Sequence, residues 1–331
     1  MRRLIRRIGI YLLAIWAAVT INFFLPRLAP GDPAKALFYR ISQHGYVNPS
    51  LLNALYSEFG YKTTDPLWVQ YLKYLNNLLH GNLGISTTYY PNTVGDVINQ
   101  NIRWTLILLS VSVLISFALG TFIGVVMAWK RGSSLDTTLS SVMTFLYSIL
   151  YPWLALLVVY FIGFKAGWLP FSDGYDLSLT PGWSLDFILS AVQHAILPAF
   201  TIVISTIAGW MLTMRNSMIT TLSEDYIMMA RAKGLTTRRV MFAYAARNAI
   251  LPSVTGFAIA IGTVVGGQLL VEIVFSYPGI GFALFQGILG QDYALADGIL
   301  LLVIIATVIM NLIVDLLYTV LDPRTRQEGS A

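Results

Sequence analysis

The chain has 331 residues, 56% of them hydrophobic and only 11% charged, with a formal net charge of +5. Apolar residues in that proportion, gathered into long blocks, exclude an ordinary soluble domain and indicate an integral membrane protein. With no cysteine in the sequence, disulfides and thiolate metal sites are excluded as well. At the N-terminus, Arg2, Arg3, Arg6 and Arg7 precede an apolar run from Ile8 to Leu25. A signal peptide shares this charge pattern. The run is longer than an h-region of roughly 7–15 residues, however, and no small-x-small cleavage site follows, so it reads as a retained first membrane helix.

From Pro26 to Arg103 the chain is mixed in polarity and well punctuated. Asn48-Pro49 reads as a cap with a first-turn proline and Gly60 as its stop; Asp65-Pro66 repeats the device, with Gly81 as the stop. Between the second pair, Trp68, Tyr71, Leu72, Leu75 and Leu79 recur at helical spacing, predicting an amphipathic helix of a small extramembrane domain whose aromatics serve packing.

Further apolar blocks lie at Trp104 to Trp129, Leu139 to Phe164, Ala195 to Met214, Pro252 to Ile273 and Ile299 to Val320. Each can cross a hydrocarbon core of roughly 30 Å, which takes about 20 helical residues, and the expectation is six membrane helices with a kink at Pro152 in the third. With a cytoplasmic N-terminus, the inside segments hold fourteen of the 21 basic residues, among them Lys130, Arg131, Arg215, Arg324 and Arg326. The outside segments hold only Arg27, Lys35, Arg40, Lys62, Lys73, Arg103 and Lys165 in a greater length of chain, a positive-inside bias that places both termini in the cytoplasm. The basic residues thus mark topology, which removes nucleic acid as a partner.

Thr221 to Pro252 is the one long polar passage of the C-terminal two-thirds. It reads as helix, break, helix. Thr221 and Glu224 have capping-box spacing, Glu224 and Asp225 fill the first turn, Arg231 and Lys233 the last, and Gly234 stops it; Thr236 or Thr237 caps the second helix. Tyr226 lies within the first helix, and the small residues Ala230, Ala232 and Gly234 would let a partner come close. The passage is either a protein-docking surface or a basic amphipathic helix on anionic headgroups.

Glu272 and Asp315 read as the only acids inside or near the apolar runs, joined by Gln268 and Asn311. Such residues are candidates for a transport path, though both acids lie where a carboxylate can also reach headgroup water. Gly256, Gly262, Gly266 and Gly267 crowd the fifth segment, and Gly262 and Gly266 share a helix face suited either to close packing or to lining a path. No phosphate-binding GxxxxGK[ST] loop, GxSxG elbow or HExxH helix occurs, and His44, His80 and His194 lack metal-ligand spacing, so neither an active site nor a metal site is expected.

ARAKG at Ala230 to Gly234 and RNAILP at Arg247 to Pro252 resemble the EAA-type loop of binding-protein-dependent ABC importer permeases, in the dipeptide/oligopeptide variant. Matching motifs run in the same order along the chain: LAPGDPA at Leu28 to Ala34, DPLWVQYLKYL at Asp65 to Leu75, GNLGIS at Gly81 to Ser86, GWLP at Gly167 to Pro170, ILP at Ile196 to Pro198, VEIVFSYPGIG at Val271 to Gly281 and NLIVDLLYTVLDPR at Asn311 to Arg324. Some positions depart from the pattern: Tyr244 stands where many relatives have His, Asn82 where many have Asp, and Met228 and Met229 where the general EAA pattern has Glu and Ala.

The resemblance implies an all-α integral membrane protein of the cytoplasmic (inner) membrane, with six transmembrane helices, a small helical extracytoplasmic domain and a cytoplasmic coupling loop. The expected divisions are 1–28 for the N-terminus and first helix, 29–103 for the extracytoplasmic domain, and 104–331 for the permease core, its coupling loop at 215–251. Glu224, Asp225, Tyr226, Ala230, Arg231, Ala232 and Gly234 would form the coupling helix and its stop, fitting a groove on a cytoplasmic ATPase. Gly262, Gly266, Gln268 and Glu272 are the substrate-path candidates. The chain itself would hold no cofactor. ATP and Mg would bind two separate ABC ATPase subunits, beside a second permease subunit (or a second copy of this chain), an extracytoplasmic solute-binding protein and membrane lipid. Alternating access driven by ATP is the implied mechanism, peptides the leading cargo, oligosaccharides and nickel chelates the alternatives. An ion-coupled secondary transporter and a non-transporting scaffold are the readings from other classes.

Overall fold

In hydrocarbon every backbone donor and acceptor must be satisfied within its own segment, so long apolar runs form long helices. The computed structural model describes residues 2–28, 33–43, 48, 50–59, 66–263 and 269–321, and the regular elements among them are helical. α1 spans Arg2–Leu28 and is followed by the short helices α2 (Pro33–Ser42), α3 (Ser50–Phe59) and α4 (Leu67–Leu79). The proline device shifts by one residue at α4: Pro66 itself takes the N-cap position, with Asp65 outside the described residues, as is Gly60. α5 (Val94–Trp129) starts well ahead of the apolar block at Trp104. Thr93 and Asp96 explain the early start by forming a capping box, in which Asp96 N–H donates to Thr93 Oγ1 (3.1 Å) and Thr93 N–H to Asp96 Oδ2 (3.3 Å).

The third apolar block forms two helices instead of one kinked helix. α6 (Ser134–Ser148) and α7 (Tyr151–Val158), continued by a π-helical stretch over Val159–Lys165, are bent by 98° at the break. Pro152 sits in the first turn of α7, where its missing N–H has no helical acceptor to leave empty. α8 (Leu185–Leu222) passes through Pro198 unbroken. Then come α9 (Asp225–Ala232), α10 (Thr237–Arg239), a π-helical stretch over Val240–Ala246, α11 (Arg247–Ala249) and α12 (Leu251–Thr263). α13 (Leu269–Val274), α14 (Ile280–Leu289) and α15 (Tyr293–Leu321) complete the described chain. Among the described residues α5, α8 and α15 are long and apolar enough to cross a membrane, and the bent α6–α7 pair supplies a fourth crossing if it counts as one span.

The fold divides into two compact units. The first draws on Met1–Thr105, Val265–Leu269 and Pro278–Asp315. One core among its described residues joins Val94, Val97 and Ile98 of α5 to Ile280, Ala283 and Leu284 of α14 and to Leu295, Ala296 and Ile299 of α15. Buried Asp292 caps α15 by accepting from Leu295 N–H (3.0 Å), and its other oxygen accepts the Ser86 hydroxyl and Thr88 N–H (2.8 Å). α4 lies against α1, with the Tyr71 and Thr20 hydroxyls 2.8 Å apart and the Phe23 ring against Tyr71 and Tyr74 at 5.1 and 5.5 Å. Tyr71 packs as the sequence predicts, but Trp68, Leu72 and Leu79 are exposed, because the apolar sector of α4 is wider than its contact with α1.

The second unit draws on Leu106–Val264, Leu270–Tyr277 and Leu316–Ala331. Close packing of the kind expected in the fifth segment occurs between α5 and α8. A Cβ at Gly120 would lie 2.7 Å from Trp210 Cβ, and one at Gly124 only 2.5 Å from the Met211 carbonyl oxygen. The two glycines are four apart on α5 and let the backbones meet. The same helix pair is flanked by a bidentate ion pair, Arg215 of α8 on Asp136 of α6, at 2.6 and 2.8 Å. Gly132 N–H also donates to Asp136 (3.0 Å), so the buried carboxylate is neutralised and hydrogen-bonded together. Asp136, Asp292 and Asp297 correct the expectation that Glu272 and Asp315 are the only acids near the apolar runs, since α6 and α15 begin earlier in the sequence than hydropathy places them.

Candidate functional site

The polar passage folds as a short helix held across the end of α8. α8 continues through Leu222, so Thr221 lies in its last turn and donates its hydroxyl to the Ser217 carbonyl (2.9 Å). The expected capping box between Thr221 and Glu224 therefore does not form. Glu224 occupies the N-cap of α9 in extended geometry without a side-chain cap bond, and Asp225 sits in the first turn, where a negative charge suits the helix dipole. The stop is as the sequence predicts. Gly234 has φ +73°, its N–H donates to the Arg231 carbonyl (2.9 Å), and Leu235 N–H reaches back to Ala230 (3.3 Å), the double closure of a Schellman motif. A Cβ at Gly234 would meet no atom within 4 Å, so glycine is required there for its left-handed backbone and not for space. Thr236 takes the N-cap of α10, again without a side-chain bond.

α9 has two faces. Ile227 and Ala230 are buried in a cluster with Val125 and Ala128 of α5, Met214 and Met218 of α8, and Val240, Ala245 and Ala249 beyond the turn. Burying Ile227 fully contributes about 1.5–3 kcal/mol. Ala230 lies within α9 with its small side chain facing inward, where it lets the α8 backbone come close. The outer face presents Tyr226, Met228, Met229, Arg231, Ala232 and Lys233, with Met228 67% and Met229 65% exposed. Two of these side chains are held in place. Tyr226 Oη accepts from Asn248 Nδ2 (2.9 Å), and the Arg231 guanidinium lies over the Trp129 ring at 5.3 Å. The result is a fixed helix with adaptable methionines at its centre and cations at its C-terminal end.

Glu272 is fully buried on α13, and its backbone carbonyl accepts Tyr277 N–H (2.8 Å). The next turn, at Phe275, accepts Asp173 N–H from the loop before α8 (3.1 Å). Gly266, Gly267 and Gln268 lie outside the described residues, as do the side-chain surroundings of Gly262 and Asp315. The site residues that sequence reasoning missed are Asp136 and Arg215, which clamp α6 to the stretch of α8 that leads into α9. Ser133 capping Asp136 N–H (3.3 Å) is the signal that could have placed Asp136 at a helix start.

The sequence profile of the family described as "binding-protein-dependent transport system inner membrane component" matches residues 120–327, which include the whole of α9 and the cluster beneath it. The chain belongs to this family. It is similar over nearly all its length to individual members. The di/tripeptide transport system permease protein DppB of Pseudomonas aeruginosa is 33% identical over 336 residues, covering 98% of each chain. The dipeptide transport system permease protein DppB of Escherichia coli K12 is 33% identical over 342 residues with the same coverage. The oligopeptide transport system permease protein AppB of Bacillus subtilis is 30% identical over 324 residues, covering 97% of this chain and 98% of its own. Membership makes the chain a multi-pass component of a transport system in the inner membrane, in keeping with its long apolar helices.

Proposed function

We propose that this chain is the permease subunit of an ATP-driven importer, moving di- or oligopeptides released by a solute-binding protein across the cytoplasmic membrane by alternating access. The peptide cargo rests on the end-to-end similarity to permeases named for dipeptide and oligopeptide transport. In this reading the chain crosses the membrane six times with both termini in the cytoplasm, and residues 29–103 form an extracytoplasmic domain. The chain pairs with a second permease, and ATP and Mg bind two ABC ATPase chains.

The observation that carries the mechanism is the outer face of α9. Met228 and Met229 stand exposed on a helix whose other face is locked to α5 and α8. Glu224, Asp225, Tyr226, Arg231 and Ala232 frame that face, and Gly234 ends it. A docked ATPase moving α9 moves α8 with it, because Ile227 and Ala230 leave no slack between them. ATP binding and hydrolysis then bias two conformations that differ in substrate exposure. Glu272, with Gly262, Gly266 and Gln268, is the candidate stretch of the path.

Reconstituted uptake tests this reading. In vesicles holding the complete complex, a labelled dipeptide accumulates only with ATP inside and binding protein outside. ATP-dependent accumulation of an oligosaccharide and not of peptide would replace the cargo. Accumulation driven by an ion gradient without ATP would remove the importer reading altogether.

A further inference from the structure

α4 carries an apolar sector only half of which is used inside the protein. Tyr71 and Tyr74 meet α1 at Thr20 and Phe23. Beside that contact, at positions 68, 72, 75 and 79, runs a second stripe on one face of the helix. Trp68 is 66% exposed, Leu72 56% and Leu79 86%. The polar residues Lys73, Asn76 and Asn77 lie outside this sector and are also exposed. Such a stripe in water would be an unusual cost for a helix that already has its packing partner.

The depth of the contact says what covers it. Thr20 lies about 20 Å along α1 from Arg7 at 1.5 Å per residue, within the roughly 30 Å of hydrocarbon that the helix crosses. α4 is therefore held against α1 where acyl chains still surround it. α1 itself exposes Trp16, Ile21 and Phe24 next to the contact residues, so the stripe continues an apolar surface already turned to lipid. We infer that α4 is an interfacial helix of the outer leaflet, with Trp68, Leu72 and Leu79 against phospholipid acyl chains and Lys73, Asn76 and Asn77 towards headgroups and water. Tryptophan and leucine on one side, amide and ammonium groups on the other, are the composition such a position selects. The inference rests on the proposed reading that α1 crosses the membrane from a cytoplasmic N-terminus. Its consequence is a short helix anchored to the bilayer beside α1.

The sequence contains no cysteine, so single-cysteine variants label uniquely. Nitroxides are attached to Leu72→Cys, Leu79→Cys, Lys73→Cys and Asn77→Cys in the full chain, reconstituted in vesicles of phosphatidylethanolamine and phosphatidylglycerol, and collision with oxygen and with a water-soluble nickel chelate is measured. The ratio of oxygen to chelate collision is expected to be several-fold higher at 72 and 79 than at 73 and 77. Equal chelate access at all four sites overturns the inference. So does protection of 72 and 79 that develops only when purified binding protein is added, which makes the occupant a protein. The orientation is tested separately by a membrane-impermeant thiol reagent at Asn77→Cys: reaction in intact cells supports the outer leaflet, whereas reaction only in sealed inverted vesicles overturns that assignment and the topology while leaving the collision pattern intact.

Discussion

Two short helices, α4 and α9, are built by the same rules and differ in what they leave uncovered. Each ends in a glycine of left-handed backbone, Gly81 at φ +71° and Gly234 at φ +73°, and each end is closed by the same pair of backbone bonds. Each also rests one face on a longer helix. The uncovered face of α4 carries Trp68, Leu72 and Leu79; that of α9 mixes Met228 and Met229 with Arg231 and Lys233. A purely apolar stripe beside a membrane helix suits lipid, which is apolar and makes no geometric demand. A mixed surface with a fixed tyrosine and arginine suits one protein partner, because its charges and hydrogen-bonding groups need matching groups in register. The lesson is that amphipathicity alone does not distinguish the two; the chemistry of the uncovered half does.

The largest expected effect that separates the helices comes from their support. Arg215→Ala strands the buried Asp136 carboxylate and should cost about 3–5 kcal/mol, read as a lower thermal midpoint of the detergent-solubilised chain. Arg215→Lys keeps the charge but loses the fork, and should recover only part of that. Beneath α9 itself, Ile227→Ala should cost about 2–4 kcal/mol and loosen ATPase binding, whereas Tyr71→Phe under α4 removes one hydroxyl contact worth about 1 kcal/mol and leaves ATPase binding unchanged. Next come the glycine stops. A Cβ at Gly234 or Gly81 meets no atom within 4 Å, so Gly234→Ala and Gly81→Ala share one backbone penalty of about 1–2 kcal/mol, yet only the first should abolish coupled uptake. Smallest in stability, within about 0.5 kcal/mol, is the pair Met228→Gln with Met229→Gln, which should still weaken ATPase co-purification. If uptake fails equally at both glycines, the division of labour drawn between α4 and α9 is wrong.

Much of this was legible in the sequence, for identifiable reasons. Gly81 and Gly234 could be read because almost no other residue adopts the backbone those positions need. The helical class and the polar passage were equally open, since each rests on local composition, and the family likeness was open because its motifs run in order along the chain. Pro152 and Pro198 show where local reading stops. Both lie in apolar blocks, but one falls in the first turn after a 98° break and the other inside a continuous helix, and tertiary packing decides which. Helix starts were hidden because α5 and α15 begin in polar sequence, held by caps at Thr93 and Asp292. The Asp136–Arg215 pair joins residues 79 apart, a distance at which spacing carries no signal. Which neighbour the small Ala230 admits is likewise set by the tertiary packing of α9 on α8.

What covers each helix is read by site-specific photo-crosslinking in the native membrane, with a benzophenone side chain at Met229 and, in parallel, at Leu72. A nucleotide-binding ATPase chain is expected to crosslink at position 229 and lipid alone at position 72. Lipid adducts alone at 229, with the ATPase still co-purifying, would contradict this expectation.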